Sequence, residues 1–234
     1  MASCTWNLWL DIARNPFDNM AIDELLLQRC QELASPVARF YGWDQAAASI
    51  GYFQHFSGSP HVSHTVVRRP TGGGTVFHDN DLTYTLVFPH SNPFVQLHRN
   101  DSYRVISEAV IAALESLGAS AILADSDDHV HSIAQPELSR CFEAPVADDV
   151  MLNDRKVAGA AQRRNRYGLL HQGSIEMGPL RGLDRVTLRQ ALRSQFEEQF
   201  QCATVAFEPP ESLFSDTDDL VNQKYGTDAW NRKR

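Results

Sequence analysis

The sequence predicts a mixed α/β (α+β) domain, a largely antiparallel sheet with helices packed on it. Three observations lead there. Runs rich in aromatic and β-branched residues alternate with segments of helical periodicity along the chain. A tight turn at Asn153-Asp154 separates two strand-like segments, as in a hairpin. The chain is also 234 residues long and 43% hydrophobic, enough to bury one sizeable core. Residues 1–234 are accordingly read as one domain.

The elements follow in order. Asn15-Pro16 with Asp18 reads as a helix start: Asn caps, Pro suits the first helical position, and an early acid complements the dipole. Apolar positions from Met20 to Leu27 carry that helix to about Glu32. Val37 to Trp43 is a strand, and Thr65 to Arg69 is a second one running into Pro70-Thr71-Gly72-Gly73-Gly74. Asp81 to Phe88 alternates, with Leu82, Tyr84, Leu86 and Phe88 on one face and Thr83, Thr85 and Val87 on the other. Ser102 to Leu117 is the clearest amphipathic helix, and Gly118 ends it. Asp149 to Leu152 and Lys156 to Gln162 form the hairpin, Leu169 to Met177 a further strand, and Thr187 to Phe200 a helix. A short helix follows Pro210. The polar segment from about Ser126 to Phe142 is a long loop, a length usually reserved for function or mobility.

Composition narrows the class. No window approaches the apolar length of a membrane span, and residues 1–10 lack the basic-then-apolar pattern of a signal peptide. Cys4, Cys30, Cys141 and Cys202 are dispersed and form no CxxC pair. Neither a zinc site nor a disulfide framework is expected, and no metal is assigned. These features suit a cytoplasmic protein. A net charge of −8 argues against a surface broadly made for nucleic acid.

Two segments carry chemistry. In Arg68-Arg69-Pro70-Thr71-Gly72-Gly73-Gly74-Thr75-Val76-Phe77-His78-Asp79, three glycines admit backbone angles closed to other residues and let a ligand approach the main chain. The upstream arginines suit bidentate binding of phosphate or carboxylate. No Gly-Lys-Ser/Thr follows, so this is not a Walker loop, and strand follows where a dinucleotide fingerprint needs helix. The bland alternative is a turn with solvated arginines. The second segment is the hairpin lysine. Lysine occurs only at Lys156, Lys224 and Lys233, so Lys156 is isolated. Placed just past a tight turn, beside the small residues Ala158 to Ala161, it suits holding an acyl carbonyl or moving a proton. Its bland alternative is an exposed turn lysine.

These segments together resemble the biotin/lipoate protein ligase and lipoate–octanoate transferase family. Arg69 to Asp79 is similar to its glycine-rich signature and Arg155 to Arg163 to its lysine segment. His171-Gln172-Gly173-Ser174-Ile175 resembles the strand that follows. Asn19 to Glu24 looks like its first helix, and Lys224-Tyr225 through Trp230-Asn231 like its closing motif. The resemblance implies a class II aminoacyl-tRNA synthetase/biotinyl protein ligase-like fold. It also implies an acyl pocket formed by Arg68, Arg69, Thr71, Gly72, Gly73, Gly74, Thr75, Val76, His78 and Asp79. Gly159, Ala160, Ala161, His171 and Gly173 complete that pocket, with Lys156 as the essential lysine.

Two chemistries compete inside such a family. A ligase activates free lipoate with ATP and Mg²⁺. An octanoyltransferase takes the acyl group from acyl carrier protein without a nucleotide. One transferase class uses a cysteine within Cys-Phe-x-x-Pro ahead of the lysine hairpin, and this chain has Cys141-Phe142-Glu143-Ala144-Pro145 there. The resemblance therefore implies Cys141 as nucleophile and no required cofactor. It implies acyl carrier protein as donor, and a lipoyl carrier domain (glycine cleavage H protein or dehydrogenase E2) as acceptor. A thiolate attacking a thioester yields another thioester of similar energy, which an amine then consumes. The alternative for Cys141 is a small buried hydrophobe, the role expected of Cys4, Cys30 and Cys202. Only Arg232-Lys233-Arg234 follows Trp230-Asn231, where two-domain ligases carry an accessory domain. Departures are Ala147-Asp148-Asp149, where the family often has an aromatic pair, and the acidic, His-containing stretch Asp125 to Gln135. ATP-dependent lipoate ligation, biotin ligation and non-catalytic lipoyl or carrier binding stay open at this stage. Arg163, Arg164 and Arg166 are a candidate basic patch for an acidic partner.

Overall fold

The computed structural model describes residues 4–56, 63–124 and 148–233. Its frame is an eight-stranded sheet in the order β11-β1-β2-β6-β10-β9-β8-β7. These strands are β1 (Cys4–Arg14), β2 (Val37–Trp43), β6 (Asp81–Pro89), β7 (Ala121–Leu123), β8 (Val150–Leu152), β9 (Arg155–Arg164), β10 (Gly168–Glu176) and β11 (Cys202–Ala206). β1 runs parallel to both its neighbours, and every other pairing in the sheet is antiparallel. A second, three-stranded sheet combines β3 (Ala47–Ile50), β4 (Thr65–Arg68) and β5 (Val76–Phe77), with β3 in the middle.

Helices cover both faces of the large sheet. α2 (Arg99–Ser116) and α3 (Arg185–Gln199) pack on one face, where Leu82, Leu86 and Phe88 meet Ile106, Val110, Leu114, Leu188 and Phe196. α1 (Pro16–Arg29) packs on the other, where Val87 and Leu170 meet Ile22, Leu25 and Leu26. The alternation along β6 thus sorts residues between two buried faces, and all nine residues of the strand are buried. A half-solvated strand would have left Thr83 and Thr85 in water. Here both hydroxyls donate to buried carboxylates instead, as buried polar groups must.

Local chemistry sets the boundaries. The Asn15 side chain accepts from the amides of Phe17 and Asp18, and Pro16 follows as the first helical residue. Gly118 takes φ +85° just past α2. Asn153 and Asp154 both adopt positive φ, 50° and 59°, the signature of a type I′ hairpin turn between β8 and β9. α4 (Glu211–Leu220) follows Pro210, and α5 (Asp228–Asn231) folds against β4.

The cysteines correct one expectation. Cys30 is buried, and burial pushes its thiol up to about 11. Cys4, however, is exposed and Cys202 half-buried, because the two are register partners where β1 meets the edge strand β11. Among the described residues no helix is long and apolar enough to cross a membrane.

Candidate active site

The small sheet and the glycine loop fold over the α1 side of β9, β10, β6 and β2, leaving a narrow slot with about 470 Å³ of empty space, part of it open to solvent. Its floor follows the strand register. Gly159 lies beside Ser174, Ser174 beside Thr83, and Thr83 beside Tyr41. Three strand spacings make this row about 14 Å long. Small side chains keep its near end open, and Met20, Trp43 and Val76 supply apolar walls.

The glycine loop is the roof, and two features hold it. Gly73 has φ +90°, and its carbonyl carbon and oxygen press against Gly51, where a Cβ would sit 1.9 Å from the Gly73 oxygen. Both positions therefore require glycine. Arg69 crosses underneath: Nη2 donates to the carbonyls of Gly72 and Gly74, and Nη1 donates to the carbonyl and hydroxyl oxygens of Ser49. Thr71 ties the loop to the floor by donating to Gln172 Oε1 at 2.7 Å, and Gln172 donates onward to Asp23. Asp23 also accepts from Arg39, Tyr41 and Thr85, all buried.

At the far end His78 stacks on Trp43 with ring centroids 3.8 Å apart. Its Nδ1 is 2.8 Å from Asp81 Oδ2 and its Nε2 is 2.7 Å from Ser49 Oγ. The hydroxyls of Thr83 and Ser174 donate to the same Asp81 oxygen. Burial alone would raise the Asp81 pKa, but His78 and these two hydroxyls hold it below the usual carboxylate range.

Lys156 packs beside the near end, against Gly159. It is 3% exposed, and its Nζ is 2.6 Å from Asp149 Oδ2. The register between β8 and β9 shifts between Val150 and Met151. In a regular strand Lys156 would share a face with Ala158 and point under α2, where Ala158 is core. The extra residue reverses this and turns Lys156 onto the slot face. There its stem crosses Gly159, where a Cβ would lie 2.6 Å from Cε and 2.9 Å from Nζ.

Of the sequence-predicted residues, Arg69, Gly73, Val76, His78, Gly159, Ala160, Ala161 and Gly173 line the slot, and Gly72 lies at its mouth. Thr71, Gly74 and Thr75 hold the loop, Thr75 by accepting from Gln54. Three expectations are corrected. Arg68 is fully buried and donates to the carbonyls of Gly51, Tyr52, Gln54, Trp230 and Asn231, so it fastens the C-terminal turn to the small sheet and does not line the slot. Asp79 is exposed and pairs with His64. His171 points to the α2 face between Tyr84, Tyr103 and Gln162, away from the slot, because alternation puts Gln172 and Ser174 on the slot face. Arg163 and Arg164 do not form a free patch either: Arg163 donates to the Pro70 carbonyl, and Arg164 to those of Val95 and Leu97. Cys141 and the His129/His131 stretch lie outside the described residues. Sequence reasoning missed Ser49, Gly51, Asp81, Thr83, Asp149, Gln172 and Ser174. Strand alternation pointed to the last two, while Gly51 and Asp149 act only through tertiary contacts.

Comparison with known proteins agrees with this fold. A family model described as the lipoyl protein ligase A/B catalytic domain matches residues 15–205. "Octanoyltransferase LipM" of Bacillus subtilis (strain 168) is 32% identical over 279 aligned positions, covering 98% of this chain and 99% of that protein. The LipM of Kyrpidia tusciae is 36% identical, covering 83% and 76%. With the LipM of Staphylococcus aureus the match, 36% identical, spans 73% of this chain and 65% of the relative's length. Among solved structures, Ta0514 of T. acidophilum with bound lipoic acid superposes with a TM-score of 0.80 at 22% identity, over 98% of this chain and 99% of that one. A bipartite lipoate protein ligase of Thermoplasma acidophilum, solved with its E2 lipoyl domain, gives 0.78 at 20%, over 98% and 96%. At these identities the structures establish the fold.

Proposed function

The chain belongs to the lipoyl protein ligase A/B catalytic-domain family, and on that premise we propose that it is an octanoyltransferase of lipoate biosynthesis. It takes an octanoyl group from a thioester on acyl carrier protein and delivers it to a lysine of a lipoyl carrier domain. The glycine cleavage H protein and dehydrogenase E2 domains carry such lysines. The single observation that carries this reading is the bulge in β9, which turns a buried lysine onto the slot face with Asp149 beside it.

The reaction divides in two. The thiolate of Cys141 attacks the donor carbonyl. A carbon–sulfur bond to Cys141 forms, the bond to the carrier sulfur breaks, and the departing thiolate takes a proton. The lysine amine of the acceptor then attacks the new thioester, forming an amide, releasing Cys141 and giving up a proton. The first exchange is nearly balanced and the second is downhill, so no nucleotide is consumed. Lys156 stabilises the oxyanion of both tetrahedral intermediates, and Asp149 fixes where its ammonium points. The floor is long enough for the tail: an extended eight-carbon chain is on the order of 10 Å long, against about 14 Å for the row.

The test supplies a carrier domain with octanoyl acyl carrier protein alone, or with octanoate or lipoate plus ATP and Mg²⁺. Octanoylation in the first mixture supports the transferase. Modification only in the second replaces it with the ligase.

A further inference from the structure

A second cleft opens beside the slot. It is lined by Arg99, Asn100, Tyr103 and Ser107 of α2, by Asp149, and by Gly72 and Gly73, and it holds about 870 Å³ of empty space, part of it open to solvent. The two clefts share Gly73, Ala160 and Ala161. The slot thus adjoins the second cleft, next to Gly159, against which Lys156 and Asp149 pack.

The wall between them is a strand edge. Among the described residues β8 accompanies β9 only as far as the pair Val150 and Ala158. Beyond it, among the described residues, the outer edge of β9 has α2 beside it and no strand. The Gln162 amide on this edge donates to the Tyr103 hydroxyl at 2.7 Å. Two residues earlier, Ala160 presents its amide and carbonyl on the same edge, into the cleft. Tyr103 accepts from Gln162, which leaves its own hydroxyl proton to donate to a carbonyl in the cleft. Ser107 and Arg99 mark the ends of the cleft on α2, eight residues or about 12 Å apart.

We propose that this second cleft binds the pantetheine arm of the acyl thioester donor. The proposal rests on the transferase reading and adds a place for the donor's non-acyl half. A pantetheine arm carries two amides along an extended chain on the order of 12–15 Å long. It lies along β9 as a short added strand, with one amide pairing Ala160 and a carbonyl receiving the Tyr103 proton. Its thioester then sits at the junction beside Lys156, with the octanoyl tail in the slot. Arg99 stands at the outer end, where the arm's phosphate joins the carrier.

Two soluble donors test this: octanoyl-pantetheine, and an octanoyl thioester of a small thiol without amides. Acylation of the full-length protein is followed by intact mass. Tyr103→Phe is expected to lower kcat/KM for octanoyl-pantetheine about tenfold more than for the armless donor, the loss of roughly one hydrogen bond. Ala160→Leu, which fills the cleft, shifts the same ratio further. Transfer from the preloaded acyl-enzyme to a carrier domain keeps its rate in Tyr103→Phe. Equal losses for both donors would overturn the proposal, as would a loss confined to carrier transfer, which gives the cleft to the acceptor. Competition by AMP against octanoyl-pantetheine would give it to a nucleotide. If neither thioester acylates the unaltered protein, the transferase reading itself falls and the assignment falls with it.

Discussion

Gly159→Ala is the smallest change that separates the reaction from the fold. A methyl at this position would sit 2.6 Å from Lys156 Cε, 2.9 Å from Nζ and 3.2 Å from Asp149 Oδ1. Ordinary carbon contacts are near 3.5–4.0 Å, so the ammonium must retreat on the order of 1 Å. Misplacing a catalytic group by that distance costs about 100-fold in rate. The fold has little reason to fail. Gly159 lies within a strand without positive φ, where alanine costs no backbone strain, and its first obstacle is the flexible end of a lysine. The expected outcome is a melting temperature within a few degrees of the unaltered protein, with octanoylation of a carrier domain down about 100-fold. The assay is the initial rate by intact mass at saturating donor, beside a thermal melt of the same sample. Activity within threefold of the unaltered protein would show that Lys156 does not need its present position.

The other glycine substitutions and the buried charges behave differently. Gly173→Ala places a methyl 2.2 Å from Tyr84 Cζ, inside a fully packed ring, so loss of soluble folded protein is expected on expression and melting; a stable, fully active variant would contradict this. Arg68→Leu strands several buried carbonyls and is expected to lower unfolding free energy by about 3 kcal/mol or more, read from the urea midpoint, with KM for the donor unchanged in what remains folded. Full stability with a raised KM would instead return Arg68 to substrate binding. Burial holds His171 at about 3 against an ordinary value of 6.5. The folded protein stays unprotonated there while the unfolded chain takes a proton, so this contribution is complete above pH 6.5. It is lost below at up to about 1.4 kcal/mol per pH unit. Asp81, held low, adds its own loss only below its ordinary carboxylate range. Urea unfolding at pH 7.5 and 5.5 should show the drop, and His171→Gln should shrink it; an unchanged drop would assign it to other groups.

Much of the frame was legible because long, strongly patterned segments carry their own signal. The Asn15-Pro16 cap, the β-rich run at Val37 to Trp43, the alternation through β6 and the Asn153-Asp154 turn reappear with nearly the expected bounds. The strands that escaped notice are too short to show a period, such as the two residues of β5. β1, by contrast, mixes buried Trp6 and Leu8 with exposed Leu10 and Ile12. The glycine loop and Lys156 were legible as residue types. Their arrangement was not, since the contact of Gly51 with Gly73 spans distant strands and a one-residue bulge decides which face Lys156 takes. Arg68 and Arg69 show the same limit. Adjacent in sequence, they point in opposite senses along a strand, so one fastens the C-terminal turn and the other supports the loop.

In the proposed reaction the acyl group passes through the enzyme covalently on Cys141 without a nucleotide. Intact-mass measurement after mixing with octanoyl acyl carrier protein, with ATP absent, tests it most directly. One octanoyl adduct is expected, which hydroxylamine removes and which Cys141→Ala cannot form. An unmodified protein that nonetheless transfers octanoate to a carrier domain, or an adduct that survives in Cys141→Ala, would contradict it.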